Sequence, residues 1–331
     1  MRPIVVLGAG SWGTALAIQF ARSGRTTVLW GRAEDEPEVL ARTRRNDRYL
    51  PGAGFPPSLA IEPDIAKAVA SGDDILLVVP SSVLRLVLQQ IKPLLGRGKR
   101  IAWASKGFEL STGKLPHQVA QEVLGPGVPI AVLSGPTFAR EVGEGLPTAM
   151  AVASPDSAFA LELAESVSAG NFRAYTQSDI VGVEIGGAVK NVIAIACGGS
   201  DGMGYGSNSR VFLITRGLAE MVRLGVALGA KRETLMGLAG LGDLVLTCTD
   251  DQSRNRRFGR ALAAGQSVEQ AIRDIGQVVE GYHAAKAVHL VASRQGVAMP
   301  ICEHVYKVLY EGMSIPDVVR SMLRRDITPE N

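Results

Sequence analysis

The stretch IVVLGAGSWGTALA, residues 4–17, decides how the first part of the chain folds. Its apolar start predicts a buried strand over Ile4–Leu7, and its alanine-rich end predicts a helix over Thr14–Ser23. Three glycines with G-x-G-x-x-G spacing lie between them: Gly8, Gly10 and Gly13. Because this loop follows a strand and leads into a helix, it indicates a dinucleotide site with the pyrophosphate at the helix N-terminus.

The first half of the chain repeats this alternation of short apolar runs and helical patterns. Further strands are predicted at Thr26–Trp30, Ile75–Val79, Ile101–Ala104 and Ile130–Leu133, and further helices at Ser82–Ile91 and Leu115–Leu124. The glycine and proline content of Leu50–Pro57 predicts a loop. The alternation is typical of the α/β class, and we predict an N-terminal doubly wound sheet of the Rossmann type.

The pattern changes to long helical segments from about Asp179 onward. These segments are Ile180–Cys197, Val211–Leu228, Val268–Ile275, Tyr282–Arg294 and Pro300–Tyr310. Glycines at residues 198–199, 237–242 and 296 are predicted to separate them. We therefore predict a Rossmann domain over residues 1–185 and an all-α substrate-binding and catalytic domain over residues 186–331, which ends in a solvated tail at Ile327–Asn331.

The composition narrows the class of protein. The 331 residues are 46% hydrophobic and 20% charged, as in ordinary globular proteins, and a net charge of +3 is too small to predict a nucleic-acid partner. Three widely spaced cysteines and four scattered histidines predict neither a disulfide framework nor a metal site. The apolar runs are shorter than the about 20 residues of a membrane span, and only three residues precede the first strand. We expect a cytoplasmic protein without an integral membrane segment.

The end of the second predicted strand bears on the choice between NAD and NADP. A site that prefers NAD usually has Asp or Glu there, which binds the ribose 2′-hydroxyl. This chain has LWGR at residues 29–32 instead, and a guanidinium suits a 2′-phosphate. Arg32 therefore favours NADP, although Glu34 close by leaves NAD open.

Polar residues follow three later strands, at the sheet edge where open α/β sheets bind ligands. They are Pro80-Ser81, Ser105-Lys106-Gly107 and Ser134-Gly135-Pro136-Thr137. Lys106 beside a glycine is a flexible cation that can reach a phosphate or a carbonyl group. The order of serine, glycine and proline at residues 134–136 predicts a helix start, whose free N–H groups around Thr137 and Ala139 can bind an anion.

The first long helix carries a lysine on an unusual face. Gly186 and Gly187 each cost about 1 kcal/mol relative to alanine inside a helix, which indicates that another group approaches closely there. Lys190 shares a face with these glycines and with Val183. We predict that Lys190 is the general acid/base of a ketone reduction, with a pKa lowered by desolvation and by a second lysine nearby.

Three further segments of the second domain carry charged residues. The sequence SRNRR at residues 253–257 places three arginines within five residues and suits a compact phosphate better than a stacked base. A tight break at residues 240–244 carries Asp243, and the VEG sequence at residues 279–281 places Glu280 at a helix start. These groups predict an anionic small-molecule substrate.

Together these segments resemble the bacterial NAD(P)-dependent glycerol-3-phosphate dehydrogenases. The resemblance covers nearly the whole chain and is carried by GAGSWGTALA (8–17), SKG (105–107), SGPTFAREV (134–142), GVEIGGAVKNVIAIACG (182–198), TRGLAEM (215–221), GLAGLGDLVLTCTDDQSRNRRFG (237–259) and VEG (279–281). It implies a Rossmann domain followed by an all-helical domain, usually in a homodimer. It also implies reversible hydride transfer between NAD(P)H and dihydroxyacetone phosphate, which gives sn-glycerol 3-phosphate for membrane lipid synthesis.

The resemblance implies roles for individual residues, with Lys190 as the catalytic proton donor and acceptor. The implied substrate contacts are Lys106, Gly135, Thr137, Lys190, Asp243, Ser253, Arg254 and Asn255. With the glycine loop, the predicted cofactor site comprises Gly8, Gly10, Ser11, Trp12, Gly13, Arg32, Lys106, Ala139, Arg254, Val278 and Glu280. NADPH or NADH is the expected cofactor, NADP being favoured, and no metal is expected.

Two alternative functions stay open at this point. A β-hydroxyacid dehydrogenase acting on a carboxylate also has a lysine on the first long helix, but its pattern has Asn four residues later. Here Asn191 follows Lys190 directly and Ala194 occupies the later position, which argues against that function. The other alternative is a non-catalytic NADP-sensing regulator, and the presence of Lys190 and Asp243 argues against it because a sensor needs no proton donor.

Overall fold

A computed structural model describes residues 1–323, so the predicted tail at Ile327–Asn331 lies outside the described residues. The strands are β1 (Ile4–Leu7), β2 (Thr27–Trp30), β3 (Arg45–Asn46), β4 (Leu50–Gly54), β5 (Leu59–Ile61), β6 (Asp74–Leu77), β7 (Arg100–Trp103), β8 (Ile130–Ser134), β9 (Thr148–Ala153) and β10 (Phe172–Gln177). Every strand predicted from an apolar run is present, with bounds that differ by up to two residues.

Eight of these strands form one sheet in the order β10-β9-β8-β7-β6-β1-β2-β5. Within residues 1–323 the pairings in this sheet are parallel, except that β8 and β9 run antiparallel. The carboxyl ends of β1, β6, β7 and β8 therefore lie along the same edge of the sheet. This arrangement confirms the predicted Rossmann-type sheet and places the glycine loop on the same sheet edge as the polar residues that follow β6, β7 and β8.

Helices cover both faces of the sheet. They are α1 (Ser11–Arg22), α2 (Pro37–Thr43), α3 (Ile65–Ser71), α4 (Leu84–Ile91), α5 (Pro116–Leu124), α6 (Ala139–Glu144) and α7 (Ser157–Val167). Alternate residues of β1 point to opposite faces, so Ile4 lies in a core cluster with residues of α1 and α7, while Val5 lies in another with residues of α3, α4 and α5. Burial on both faces explains why β1 is a continuous apolar run.

The loop predicted over Leu50–Pro57 is wrong, because Leu50–Gly54 forms β4 and pairs antiparallel with β3. The glycine and proline content favoured a loop, but Leu50 and Ala53 are buried in the strand. Both side chains pack on Gly143 of α6, where a Cβ would lie 3.0 Å from Leu50 Cδ2 and 3.1 Å from Ala53 Cβ. Tertiary packing overrides the local preference for a loop here.

The described chain after β10 is helical, which confirms the predicted α-helical second part as far as Leu323. Its helices are α8 (Ile180–Gly202), α9 (Ser207–Ala227), α10 (Arg232–Leu235), α11 (Asp243–Thr249), α12 (Arg254–Ala263), α13 (Val268–Ile275), α14 (Glu280–Gln295), α15 (Pro300–Tyr310) and α16 (Ile315–Leu323). A π-helical turn over Leu238–Gly242 leads into α11, where the sequence predicts a tight break.

Helix α8 is the centre of the second part, and the break predicted at Gly198-Gly199 is wrong because both residues lie inside it. A Cβ on Gly198 would lie 1.9 Å from the main-chain oxygen of Arg256, so glycine is required there for α12 to pack closely. Among the described residues, α8 is the one helix long and apolar enough to cross a membrane, and 89% of its apolar window is buried inside the protein.

The change from sheet to helices occurs between Gln177 and Ile180. The predicted boundary after residue 185 falls inside α8, whose first turn packs against the sheet through Val183. The next turns, from Ile185 onward, belong to the core of the helical part. Because α8 contributes to both cores, a domain boundary at residue 185 stays a prediction.

Candidate active site

The glycine loop has the shape that a pyrophosphate requires. Gly8 has φ +124°, and a Cβ there would lie 2.4 Å from the main-chain oxygen of Val78. A Cβ on Gly13 would lie 1.8 Å from the Gly8 oxygen, whereas a Cβ on Gly10 would meet nothing within 4 Å. Gly8 and Gly13 are therefore needed for packing inside the protein, and Gly10 leaves open space where a ligand can approach the backbone.

Helix α1 begins at Ser11, three residues before the predicted start, so Ser11, Trp12 and Gly13 form its first turn. Its N-cap is Gly10, which has no side chain to accept from the N–H groups of that turn. Trp12 packs against the same core cluster as Ala139 at the start of α6. The helix N-terminus thus offers N–H groups to an anion and fits the predicted cofactor.

Arg32 lies just beyond β2, and its side chain is 62% exposed. Its guanidinium lies 3.3 Å from Asp35 Oδ2 and 3.7 Å from Glu34 Oε2. Two residues of this group were missed from the sequence, Asp35 and Arg48. Arg48 Nη1 donates to the main-chain oxygen of Glu34 at 2.6 Å. Two arginines and two carboxylates therefore meet where the ribose of a dinucleotide is expected.

Two lysines and one aspartate form the centre of the site. Lys106 Nζ donates to Asp243 Oδ2 at 2.7 Å, and Lys190 Nζ donates to Asp243 Oδ1 and to Thr247 Oγ1, the latter at 3.0 Å. The Asp243 side chain is 1% exposed, that of Lys190 8% and that of Lys106 12%. Thr247 was missed from the sequence, although its position one helical turn after Asp243 on α11 is a signal that could have found it.

The two glycines of α8 explain how this centre is assembled. A Cβ on Gly186 would lie 2.1 Å from the main-chain oxygen of Ala239, in the turn that leads to Asp243. A Cβ on Gly187 would lie 3.2 Å from Cγ of Lys106. Gly186 thus lets the turn before Asp243 pack closely on α8, and Gly187 lets the aliphatic part of the Lys106 side chain do the same. The close approach predicted from these glycines is confirmed.

The pKa of Lys190 is lowered to about 8, because burial and the positive charge of Lys106 lower it by more than Asp243 raises it. This is the direction predicted from the sequence, and desolvation is its main cause. A lysine whose pKa lies near neutral pH can both donate and accept a proton during turnover.

The segment after β8 lies beside this centre. Gly135 has φ +156°, and a Cβ there would lie 2.9 Å from Cα of Met150, so the antiparallel pairing with β9 requires glycine. Thr137 Oγ1 donates to the Gly135 oxygen at 3.2 Å. The predicted helix start at residues 134–136 is wrong, because α6 begins at Ala139 with Phe138 as its N-cap. Residues 135–138 instead form a loop next to Asp243, since Pro136 Cγ lies 3.6 Å from a Cβ built on Gly242.

The predicted phosphate cluster is the first turn of α12, rather than a segment between helices. Ser253 is its N-cap and accepts from the N–H of Arg256 at 3.2 Å. The three arginines differ in environment: Arg256 is buried and paired with Asp201 and Asp251, and Arg257 is exposed. Arg254 is half-buried, and its Nη1 lies 3.4 Å from the neutral Gln277 Oε1. The positive charge of Arg254 is therefore the one suited to an incoming anion.

Asn255 links this cluster to the lysine centre. Its Nδ2 donates to Asn191 Oδ1 at 2.8 Å, and its Oδ1 accepts from the N–H of Gly281 at 2.9 Å. Asn191 in turn donates to Glu280 Oε2 at 3.3 Å, where α14 begins. Asn191 was missed as a site residue, although it follows Lys190 directly. Val278, two residues before Glu280, is 49% exposed.

Among residues 1–323, no group of three or more His, Cys, Asp and Glu side chains could hold a metal ion. The three cysteines are free and buried. Most of the predicted site residues lie in the glycine loop and first turn of α1, in the Lys106–Asp243–Lys190 centre or at the start of α12.

Comparisons with family models, with related sequences and with solved structures all indicate the same family. The model for the N-terminus of NAD-dependent glycerol-3-phosphate dehydrogenase matches residues 3–160, and the model for its C-terminus matches residues 179–320. A glycerol-3-phosphate dehydrogenase (NAD(P)+) of Pseudoalteromonas translucida is 55% identical over 98% of this chain and 97% of its own. One of Actinobacillus pleuropneumoniae is 56% identical over the same shares.

A crystal structure supports the same relationship. The glycerol-3-phosphate dehydrogenase of Coxiella burnetii has a TM-score of 0.94 and 46% identity, covering 98% of this chain and 99% of its own. Both family models and these relatives together cover the sheet, the lysine centre and the helical part. The chain belongs to the family of NAD-dependent glycerol-3-phosphate dehydrogenases.

Proposed function

We propose that this protein reduces dihydroxyacetone phosphate to sn-glycerol 3-phosphate with NADH or NADPH, and that it also catalyses the reverse reaction. The observation that carries the proposal is the Lys106–Asp243–Lys190 centre at the sheet edge that also carries the glycine loop. Such a centre suits a ketone, because its reduction needs a proton donor near neutral pH and a positive charge near the carbonyl oxygen. The names of the relatives point to the same reaction.

In the proposed mechanism, bound NADH or NADPH supplies the hydride that the carbonyl carbon receives. Lys190 donates its proton to the carbonyl oxygen as negative charge develops there. Thr247 and Asp243 hold the Nζ of Lys190 in place, and Asp243 stays paired with Lys106 after the proton has left. The shared carboxylate thus keeps the site close to electrically balanced in both protonation states. Asp243 and Lys190 are buried and Lys106 is 12% exposed, which limits the access of water to the reacting atoms.

We propose Arg254 as the main ligand of the substrate phosphate, with Ser253 and the loop at residues 135–137 beside it. Replacing Arg254 with alanine should raise KM for dihydroxyacetone phosphate by about 10- to 100-fold, which is the loss of one charge-assisted hydrogen bond. Steady-state kinetics with varied substrate measures the effect. Arg257→Ala is the matched control, because Arg257 lies on the same helix and is exposed. An unchanged KM in Arg254→Ala, or an equal rise in Arg257→Ala, would remove Arg254 from the phosphate site.

We propose that Arg32 favours NADPH by pairing with its 2′-phosphate, and that Glu34 and Asp35 keep NADH usable. Arg32→Ala should raise KM for NADPH by about tenfold or more and change KM for NADH by less, since the 2′-phosphate is absent from NADH. Glu34→Gln should move the ratio of the two constants the other way. Each variant is measured with both cofactors, so a general loss of activity would leave the ratio of the two KM values unchanged. Equal changes in KM for NADPH and for NADH would therefore contradict the assignment.

We further infer a homodimer in the cytoplasm, whose product supplies membrane lipid synthesis. These expectations come from the family resemblance. Sedimentation of the purified protein over a range of concentrations tests the dimer: a single species of monomer mass would contradict it.

A further inference from the structure

Glu184 is a buried carboxylate that the proposed mechanism does not use. It lies on α8, and its side chain is 1% exposed. Its Oε1 accepts from Trp103 Nε1 at 3.0 Å and from the main-chain N–H of His117 at 2.9 Å, and its Oε2 lies 2.5 Å from His117 Nδ1. These three contacts come from β7 and α5 in the sheet part of the molecule. Glu184 therefore ties α8 to the sheet.

The two elements that meet at Glu184 also carry the two lysines. Trp103 is the last residue of β7, and Lys106 follows three residues later. Glu184 lies one turn before Gly187 on α8, and the stem of Lys106 packs on that glycine. Lys190 follows on the same helix. The Trp103–Glu184 hydrogen bond thus fixes β7 against α8 just before the point where Lys106 and Lys190 reach Asp243.

The two residues between Trp103 and Lys106 are held in place by hydrogen bonds to β6 and to the segment that follows it. The N–H of Ala104 donates to the Leu77 oxygen at 2.9 Å, and Ser105 Oγ donates to the Val79 oxygen at 2.5 Å. A displacement of Trp103 relative to α8 would therefore be passed on to Lys106. A shift of about 1 Å in a positioning group can lower a rate by about 100-fold.

We infer that Glu184 is a positioning residue, which sets the separation of Lys106 and Lys190 around Asp243 by holding Trp103 against α8. The inference rests on the proposed roles of the two lysines. Burial raises the pKa of Glu184, so the cost of placing a carboxylate here is substantial, and it is offset by the three polar contacts. An apolar side chain of similar size would fill the space without orienting the indole ring.

A second buried glutamate provides the control for a purely structural role. Glu220 on α9 is 2% exposed and accepts from the N–H groups of Ile301 and Cys302 at 2.7 and 3.1 Å. It caps the N-terminus of α15 inside the helical part. Loss of either glutamate removes a buried carboxylate that accepts N–H groups, but only Glu184 contacts the strand that leads to Lys106.

The test compares kcat in four single variants: Trp103→Phe, Glu184→Ala, Glu184→Gln and Glu220→Ala. Trp103→Phe keeps an aromatic ring, although a smaller one, and removes the Nε1 donor, so it also serves if Glu184→Ala fails to fold. We expect kcat to fall about tenfold or more in Trp103→Phe and Glu184→Ala, with KM for NADH nearly unchanged. In Glu184→Gln, the glutamine keeps an acceptor for Trp103 and an amide for His117, so kcat should stay within about threefold of the wild-type value. Glu220→Ala should lower the melting temperature and leave kcat nearly unchanged.

A double-mutant cycle with Lys106→Ala separates positioning from general stability. If Glu184 acts through Lys106, Glu184→Ala should lower kcat little further when Lys106 is already absent. Full additivity of the two changes would overturn the inference, as would wild-type kcat in both Trp103→Phe and Glu184→Ala. Near-normal turnover in Lys190→Ala would instead overturn the proposed function itself, so the two failures are distinguishable.

Discussion

Replacing Lys190 with alanine should lower kcat for the reduction of dihydroxyacetone phosphate by about 100- to 10,000-fold, the range typical for loss of a general acid. The lysine is buried, and its Nζ is held by Asp243 and Thr247, so water cannot easily take its place. Binding of NADH should change little, because the predicted cofactor loop lies on a separate element. Steady-state kinetics and a cofactor titration measure the two effects.

The pH profile supplies the control for this variant. Burial lowers the pKa of Lys190 to about 8, so the wild-type rate of ketone reduction should fall as the pH rises through about 8 and the lysine loses its proton. The reverse reaction needs the neutral lysine and should become faster over the same interval. Both limbs should be absent from the residual activity of Lys190→Ala. Near-wild-type kcat, or the same limbs in the variant, would contradict the role of Lys190.

The second large effect is expected for Asp243→Asn. The substitution keeps the shape of the side chain but removes the negative charge that Lys106 and Lys190 share. Removing one partner of a buried ion pair typically costs about 3–5 kcal/mol, so the melting temperature should fall clearly. We expect kcat to fall by about 100-fold or more, because the position of both Nζ atoms depends on this carboxylate.

Asp251→Asn is the matched control for that variant. The Asp251 side chain is 71% exposed and pairs with Arg260 and with Arg256, which keeps its buried partner Asp201, so loss of the Asp251 charge should cost about 0–1 kcal/mol. The pKa of Lys190 should fall below about 8 in Asp243→Asn, since Asp243 normally raises it. The alkaline limb of ketone reduction should therefore move to lower pH. Equal stability and activity in the Asp243 and Asp251 variants would refute the proposed centre.

Sequence patterns predicted the strands from β6 to β8 and β1 to β2 well, because these are apolar runs, but they missed β9 and β10 at one end of the sheet. Strand β9, Thr148–Ala153, was missed because alanine-rich segments have little intrinsic preference for strand. It becomes a strand through antiparallel pairing with β8, on the backbone turn that Gly135 allows. Strand β10, Phe172–Gln177, is an edge strand with mostly polar, partly exposed residues, so it lacks the apolar run used to find the others.

For the site, sequence patterns predicted individual residues but not the contacts between them. The glycines of α8 correctly indicated that another group approaches Lys190, but not which group. Asp243 and Lys106 are 137 residues apart in sequence, and their contact depends on how α11 and the loop after β7 meet. The pairing of Arg256 with Asp201 likewise requires α12 to pack on α8, so sequence alone could not separate Arg256 from Arg254.

One assay tests the central claim most directly. Purified protein is mixed with dihydroxyacetone phosphate and either NADH or NADPH, and loss of absorbance by the reduced cofactor is followed together with formation of sn-glycerol 3-phosphate. We predict oxidation of both cofactors that depends on the ketone, equals the product formed, and is lost in Lys190→Ala. Absence of oxidation with either cofactor in the folded wild-type protein would contradict the proposed function.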